Sequence, residues 1–170
     1  MRLTPTFDRP VFGIGIYYNC PIVFRMDEPT YPFTLPRTEV RYQFQSVSSQ
    51  KRTQKVVLFT ETERPEVYNL ALLDVLETGV LSDITVTDNK DMRTVRATTM
   101  RITANFLGSN PHKIVTFTGT DDRRTRLYRI LLSRELALIQ QAFVVLGEVN
   151  HYIEIFQPNR PYSRFYTLKR

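Results

Sequence analysis

The apolar residues of this chain keep two different periods along its length, and the switch between them limits the folds open to it. From Val40 onward Tyr42 and Phe44 alternate with Arg41, Gln43 and Gln45, the period of two that a half-buried strand requires. Strand-like runs follow at 55–60, 66–72 and 81–87, each bounded by polar or Pro- and Gly-bearing turns. Over 90–107 the period becomes helical, with Met92, Val95, Thr99, Ile102 and Phe106 on one face and Arg93, Arg96 and Arg101 on the other. Asp88 and Asn89 are candidate caps for that helix, and Gly108 with Pro111 is its stop. An apolar strand at 113–118 leads through Gly119 and Thr120 into a second helix at 121–139. Leu127, Tyr128, Leu131 and Leu132 form its apolar face, Arg123, Arg126 and Arg129 point outward, and Arg124 projects with the apolar set. Strands at 143–146, 152–156 and 164–168 close the chain, the first two as a hairpin. This order, ββββαβαββ with a further C-terminal strand, predicts one α+β domain: a mostly antiparallel or mixed sheet with two helices packed on one face.

Six of the ten prolines fall in the first 36 residues, a density that blocks helices and central strands alike. Residues 1–38 therefore read as a proline-rich N-terminal extension, with Phe12, Ile14, Ile16, Tyr17 and Tyr18 able to pack as an edge strand, and residues 39–170 as the domain. A chain of 170 residues with 42% hydrophobic content is long enough for one core and short for two. No apolar run approaches the roughly 18 to 20 residues of a membrane span, and the start lacks the apolar core of a secretion signal. No membrane association is expected. Cys20 is the only cysteine, so no internal disulfide can form, and a reducing, cytoplasmic setting is the expectation.

The net charge of +6 is unevenly spread. Between Arg93 and Arg134 stand nine basic residues against two acids, Asp121 and Asp122, which gives +7; the other 14 basic and 15 acidic residues sum to −1. Any anionic partner is to be sought in that quarter of the chain.

From about residue 40 to the end the sequence carries Tyr42-x-Phe44-x-Ser46, Lys55-Val56-Val57 with Phe59-Thr60, and Val67-Tyr68-Asn69-Leu70. Gly79 with Asp83, Asn89-x-Asp91, Gly119 and Arg124-Thr125-Arg126-Leu127-Tyr128 follow, and Phe143, Gly147, Phe156, Tyr162 and Lys169-Arg170 complete the set. In this combination the chain resembles an uncharacterised bacterial family found in Bacteroidota, domain of unknown function 6934. It departs from the family pattern at Asp121, Asp122 and Arg123, where Thr-Pro and Ala are usual. The resemblance implies no activity, so the residues must be read on their own chemistry.

The segment Gly119-Thr120-Asp121-Asp122-Arg123-Arg124-Thr125-Arg126 is a strand-to-helix junction loaded with cations. Helix starts carry partial positive charge, so arginines there oppose the dipole unless an anion takes both the free N–H groups and the guanidinium forks. The bland alternative pairs Arg124 inward with a carboxylate such as Asp83. On a wider scale Arg93, Arg96 and Arg101 with Arg123, Arg126 and Arg129 could line a groove for RNA or DNA, because such faces neutralise phosphates without reading bases. Asn69, a polar amide in an apolar strand, and Tyr128 are candidates for a shared pocket with Arg124 and Arg126.

The order of elements is also similar to that of acetyltransferases, with Leu127-Tyr128 where such enzymes carry a Leu-Tyr pair near the coenzyme. That resemblance implies acyl-coenzyme A chemistry, yet the approach Asp88-Asn89-Lys90-Asp91-Met92-Arg93 lacks the glycines a pyrophosphate would need. A third reading makes the helix faces an interface for an acidic protein in a small regulatory or toxin–antitoxin pair. With two histidines and one cysteine no metal site assembles, and Cys20 has no evident base. The expectation is a binding protein without cofactor or metal, its partner nucleic acid, a phosphate-bearing ligand or an acidic protein.

Overall fold

The computed structural model describes residues 29–34, 40–48, 51–82 and 91–170. Within them nine strands form one sheet: β1 (Phe33–Thr34), β2 (Arg41–Val47), β3 (Arg52–Glu61), β4 (Val67–Val75), β5 (Leu81–Ser82), β6 (Ile114–Phe117), β7 (Phe143–Val149), β8 (Tyr152–Ile155) and β9 (Arg164–Lys169). Two helices, α1 (Met92–Ser109) and α2 (Asp122–Ile139), connect β5 to β6 and β6 to β7. The spatial order is β1-β2-β3-β4-β6-β9-β7-β8, with β5 paired to β4 off this path. The fold is a single α+β domain with a mixed sheet.

The topology dictates where the helices lie. Strands β4 and β6 are parallel, so α1 is a crossover between them. Strands β6 and β7 both run antiparallel to the intervening β9, hence parallel to each other, and α2 is a crossover that steps over β9. Both crossovers advance across the sheet in the same direction. The right-handed rule then sets both helices on the same face, and a cavity walled by both of them and by β4, β6, β7 and β9 confirms it.

Local chemistry explains the elements. Along β2 the even positions Tyr42, Phe44 and Ser46 are buried and the odd ones are not, as alternation requires. An aromatic chain joins sheet to helix: Phe33 meets Tyr42 edge-on, Tyr42 meets Phe59 edge-on, and Phe59 stacks on Phe106 of α1 at 4.1 Å between centroids. Each such pair adds about 0.5 to 1.5 kcal/mol beyond area burial. Tyr42 and Phe44 are 3% and Tyr68 9% exposed, which makes them core residues. The helices differ in depth. Eight residues of α1 are buried, but only Leu132 and Ile139 of α2, so α2 is the looser layer.

Residues 29–34 pack on the body. The Tyr31 N–H donates to Thr98 Oγ1, the Tyr31 hydroxyl donates to the Asp91 carboxylate at 2.7 Å, and Arg101 donates to Thr30 Oγ1. The strand expected at 81–87 is formed at Leu81–Ser82; residues 83–87 lie outside the described residues, as do Cys20 and the edge strand expected near residues 12–18. The hairpin β7–β8 turns at Asn150 and His151, both with positive φ. Among the described residues no helix is long and apolar enough to cross a membrane.

Candidate anion-binding site between the two helices

Parallel pairing of β4 with β6 covers only Val67 to Asn69, and β4 is next paired on that side at Asp74, by β5. Over the end of this short pairing lies a cavity of about 90 Å³, with Leu70 and Leu72 of β4 and Phe117 of β6 in its wall. From α1 it is lined by Arg96, Thr99, Met100, Thr103, Ala104 and Leu107, a stripe at helical spacing, and from α2 by Tyr128, Leu131, Leu132 and Ile139.

Nearly all of this lining is apolar, so its few polar groups decide what can enter. The hydroxyls of Thr99 and Thr103 donate back to the carbonyls of Val95 and Thr99, each at 2.9 Å, which uses their protons within the helix. The side chains of Arg96, Tyr128 and Thr167 line the same space and make no hydrogen bond or ion pair with any described residue. Burial pushes the Arg96 guanidinium below its ordinary value, with Tyr128 acting the other way. Burial likewise pushes the Tyr128 phenol up, against the influence of Arg124 and Arg96. The Tyr128 ring is fixed edge-on against Phe117 at 5.5 Å. The cavity therefore offers a cation and two hydroxyls to an acceptor that is not part of the chain.

Several sequence expectations are redirected by this geometry. Arg96 does not share the solvent face with Arg93 and Arg101: those two are exposed, while Arg96 is half-buried toward α2. Met92, expected in the core, is 48% exposed. Asn69 does not join Tyr128. It is exposed and level with Thr60 and Thr116, on the sheet face away from the helices, because Tyr68 and Leu70 on either side of it point to the helices.

The start of α2 also differs from an open anion cradle. Asp121 is its N-cap, accepting from the Arg124 N–H at 2.7 Å, and the Gly119 N–H donates to Thr125 Oγ1. A Cβ on Gly119 would lie 2.3 Å from the Thr125 nitrogen, so only glycine lets the strand turn this closely into the helix. Side chains of the chain itself thus satisfy donors that an anion would use. Arg124 donates to Thr120 Oγ1 and lies 3.9 Å from the Asp121 carboxylate; Asp83, the other partner considered, lies outside the described residues. Arg123 and Arg126 are exposed, and Arg129 donates to the Arg160 carbonyl. Of the expected site residues, Arg96, Arg124 and Tyr128 come together, Gly119 and Thr120 shape the turn beside them, and Arg93, Arg123 and Arg126 lie outward.

The cavity wall was missed in the sequence, although Arg96, Thr99, Met100, Thr103 and Leu107 fall at offsets of 3, 4, 7 and 11 and so mark one stripe of a helix. Among the described residues no group of three or more His, Cys, Asp or Glu side chains is placed to hold a metal. At the start of α1, the Asp91 carboxylate accepts from Tyr31 and Ser46 and does not cap the helix.

No curated protein and no solved structure matches the chain. A family model does, over residues 27–170, which takes in every element described above. The chain belongs to that family, DUF6934, a family of unknown function.

Proposed function

We propose that the protein is a non-catalytic binding module for a small anionic ligand, held between α1 and α2 by Arg96 and Tyr128 with Arg124 beside them. The observation that carries this reading is Arg96: a half-buried guanidinium on an apolar cavity with no carboxylate or carbonyl partner among the described residues. Buried charges are ordinarily paired, because desolvation is costly and is offset only by a counter-charge. An anionic ligand supplies that counter-charge.

This is the small-ligand form of the anion-binding expectation, and the geometry favours it over a nucleic-acid groove. A groove needs the arginines of both helices on one open surface, whereas Arg96 turns inward, Arg101 is tied to Thr30 and Arg129 to Arg160. The acyl-coenzyme A reading is supported by the parallel pairing of β4 with β6 and by Tyr128 in the cavity wall beside them. Against it stands Asp91, which sets a carboxylate at the start of α1, where a pyrophosphate would need positive charge. An acidic protein partner would use the outward Arg93, Arg123 and Arg126 and leaves Arg96, without an ion-pair partner among the described residues, unexplained.

Thermal unfolding in the presence of sodium carboxylates, inorganic phosphate and acetyl-coenzyme A, at constant ionic strength, tests the reading. A hundredfold excess of a ligand over its Kd stabilises by about 2.7 kcal/mol. Stabilisation by a small anion that disappears in Arg96→Met is expected; no stabilisation by any of them refutes the proposal.

A further inference from the structure

Resting on that reading, we infer that the ligand is a short-chain aliphatic monocarboxylate, its carboxylate on Arg96 and Tyr128 and its alkyl tail in the cavity. Three features of the site select this class.

The first is the inventory of polar groups. Arg96, Tyr128 and Thr167 can all donate, while the Thr99 and Thr103 protons are already committed to their own helix. The ligand must therefore present acceptor oxygens to these donors and hydrocarbon to the rest of the wall. A carboxylate fits the planar guanidinium fork and leaves an oxygen for the phenol.

The second is charge. One guanidinium balances one negative charge. A phosphate monoester carries about −1.5 to −2 at neutral pH, and the excess would be desolvated without an equal counter-charge. Arg124 is near, but the Asp121 carboxylate lies 3.9 Å from its Nε and offsets it.

The third is size and polarity. Beyond the donors the walls are hydrocarbon, including Leu70, Leu72, Leu107 and Leu131. The cavity of about 90 Å³ is some three times the roughly 30 Å³ that one water occupies in the liquid. It holds about three methylene-sized groups behind the carboxylate and its first carbon. Each methylene carried from water into such walls is worth about 0.8 kcal/mol, or roughly fourfold in affinity.

Calorimetric titration of the full chain with sodium acetate, butanoate, hexanoate and decanoate, with hexyl phosphate and with inorganic phosphate tests the inference. Affinity is expected to rise about fourfold per methylene from acetate to butanoate, to level off between butanoate and hexanoate, and to gain nothing further at decanoate. Hexyl phosphate is expected to bind at least tenfold more weakly than hexanoate. Arg96→Met should lose hexanoate binding, with Tyr128→Phe as a milder second variant, and Thr103→Leu should shift the optimum to a shorter acid. Hexyl phosphate or inorganic phosphate binding as tightly as hexanoate, or affinity indifferent to chain length, overturns the monocarboxylate while leaving the anion site standing. Silence from every probe overturns both.

Discussion

Replacing Arg96 by methionine separates a binding residue from a structural one, because the two roles predict opposite changes in the stability of the free protein. In the ligand-free fold Arg96 is partly desolvated and its nearest electrostatic neighbours are the neutral Tyr128 and the cavity wall. Burial disfavours the charged form in the folded state, yet at neutral pH the guanidinium stays charged in both states, so the folded state bears the cost. Screening through its exposed part holds that cost to the order of 1 kcal/mol. Methionine keeps an unbranched apolar stem, removes the charge and adapts to the cavity. Arg96→Met is therefore expected to stabilise the free protein by about 1 kcal/mol, or about 2 to 4 °C in Tm for a domain of this size.

Urea denaturation reads the effect as a raised midpoint at unchanged slope. The same variant is expected to show no stabilisation by hexanoate, whereas the parent gains about 2.7 kcal/mol at a hundredfold excess over Kd. A gain in stability with a loss of binding is the signature of a group kept for a ligand. Destabilisation of the free protein by 1 kcal/mol or more would show that Arg96 holds the fold together, and the reasoning from its missing partner would fail.

Three further outcomes follow from the packing. Lys55 and Asp74 face each other across β3 and β4 at 2.5 Å, with side chains 9% and 6% exposed; Lys55→Met or Asp74→Leu alone should cost about 3 to 5 kcal/mol and the double variant far less, and a double-mutant cycle showing additive losses would contradict the pairing. At Gly147 an added Cβ would lie 2.4 Å from the buried Tyr162 ring, so Gly147→Ala should cost about 1 to 3 kcal/mol in chemical denaturation, and a neutral result would mean the ring is not held there. Tyr31, Tyr128, Tyr162 and Tyr166 all have phenols pushed above the ordinary value, by burial first in each case. Their contribution is complete below the unfolded value near 10 and is lost as pH rises through the folded values, so denaturation midpoints should fall above pH 10, and a flat profile to pH 11.5 would refute the assignment.

The fold was legible where period and punctuation agreed. The alternation at Tyr42 and Phe44 and the hairpin around Asn150 each show one physical requirement at one place, and α1 ends at Ser109, two residues before Pro111 and one past the expected stop at Gly108. The site was legible only in part. Residue types marked the basic region, but the direction in which Arg96 points depends on α2 packing beside α1, a tertiary fact that one helix's periodicity does not contain. Asn69 shows the reverse error: its neighbours Tyr68 and Leu70 are inside, so strand alternation alone should have sent it outward. At Asp121 the sequence already held a capping residue, and reading the arginines as dipole-opposed gave too little weight to a carboxylate that satisfies a helix-start N–H first.

The cavity and Arg96, which has no ion-pair partner among the described residues, both lie where α1 and α2 cross the sheet. α2 steps over β9 to reach β7, and only two of its side chains, Leu132 and Ile139, are buried. Larger residues on α1 could close the gap, yet Thr99, Thr103 and Ala104 stand there, with Arg96 at the same edge. The pocket leaves apolar side chains of both helices and the sheet without packed neighbours, and the partly desolvated guanidinium costs on the order of 1 kcal/mol. In a domain whose net stability is some 5 to 15 kcal/mol both are felt at one location. Local rules of packing and charge pairing are broken together there, and a ligand that fills the space and pairs the charge removes both costs at once.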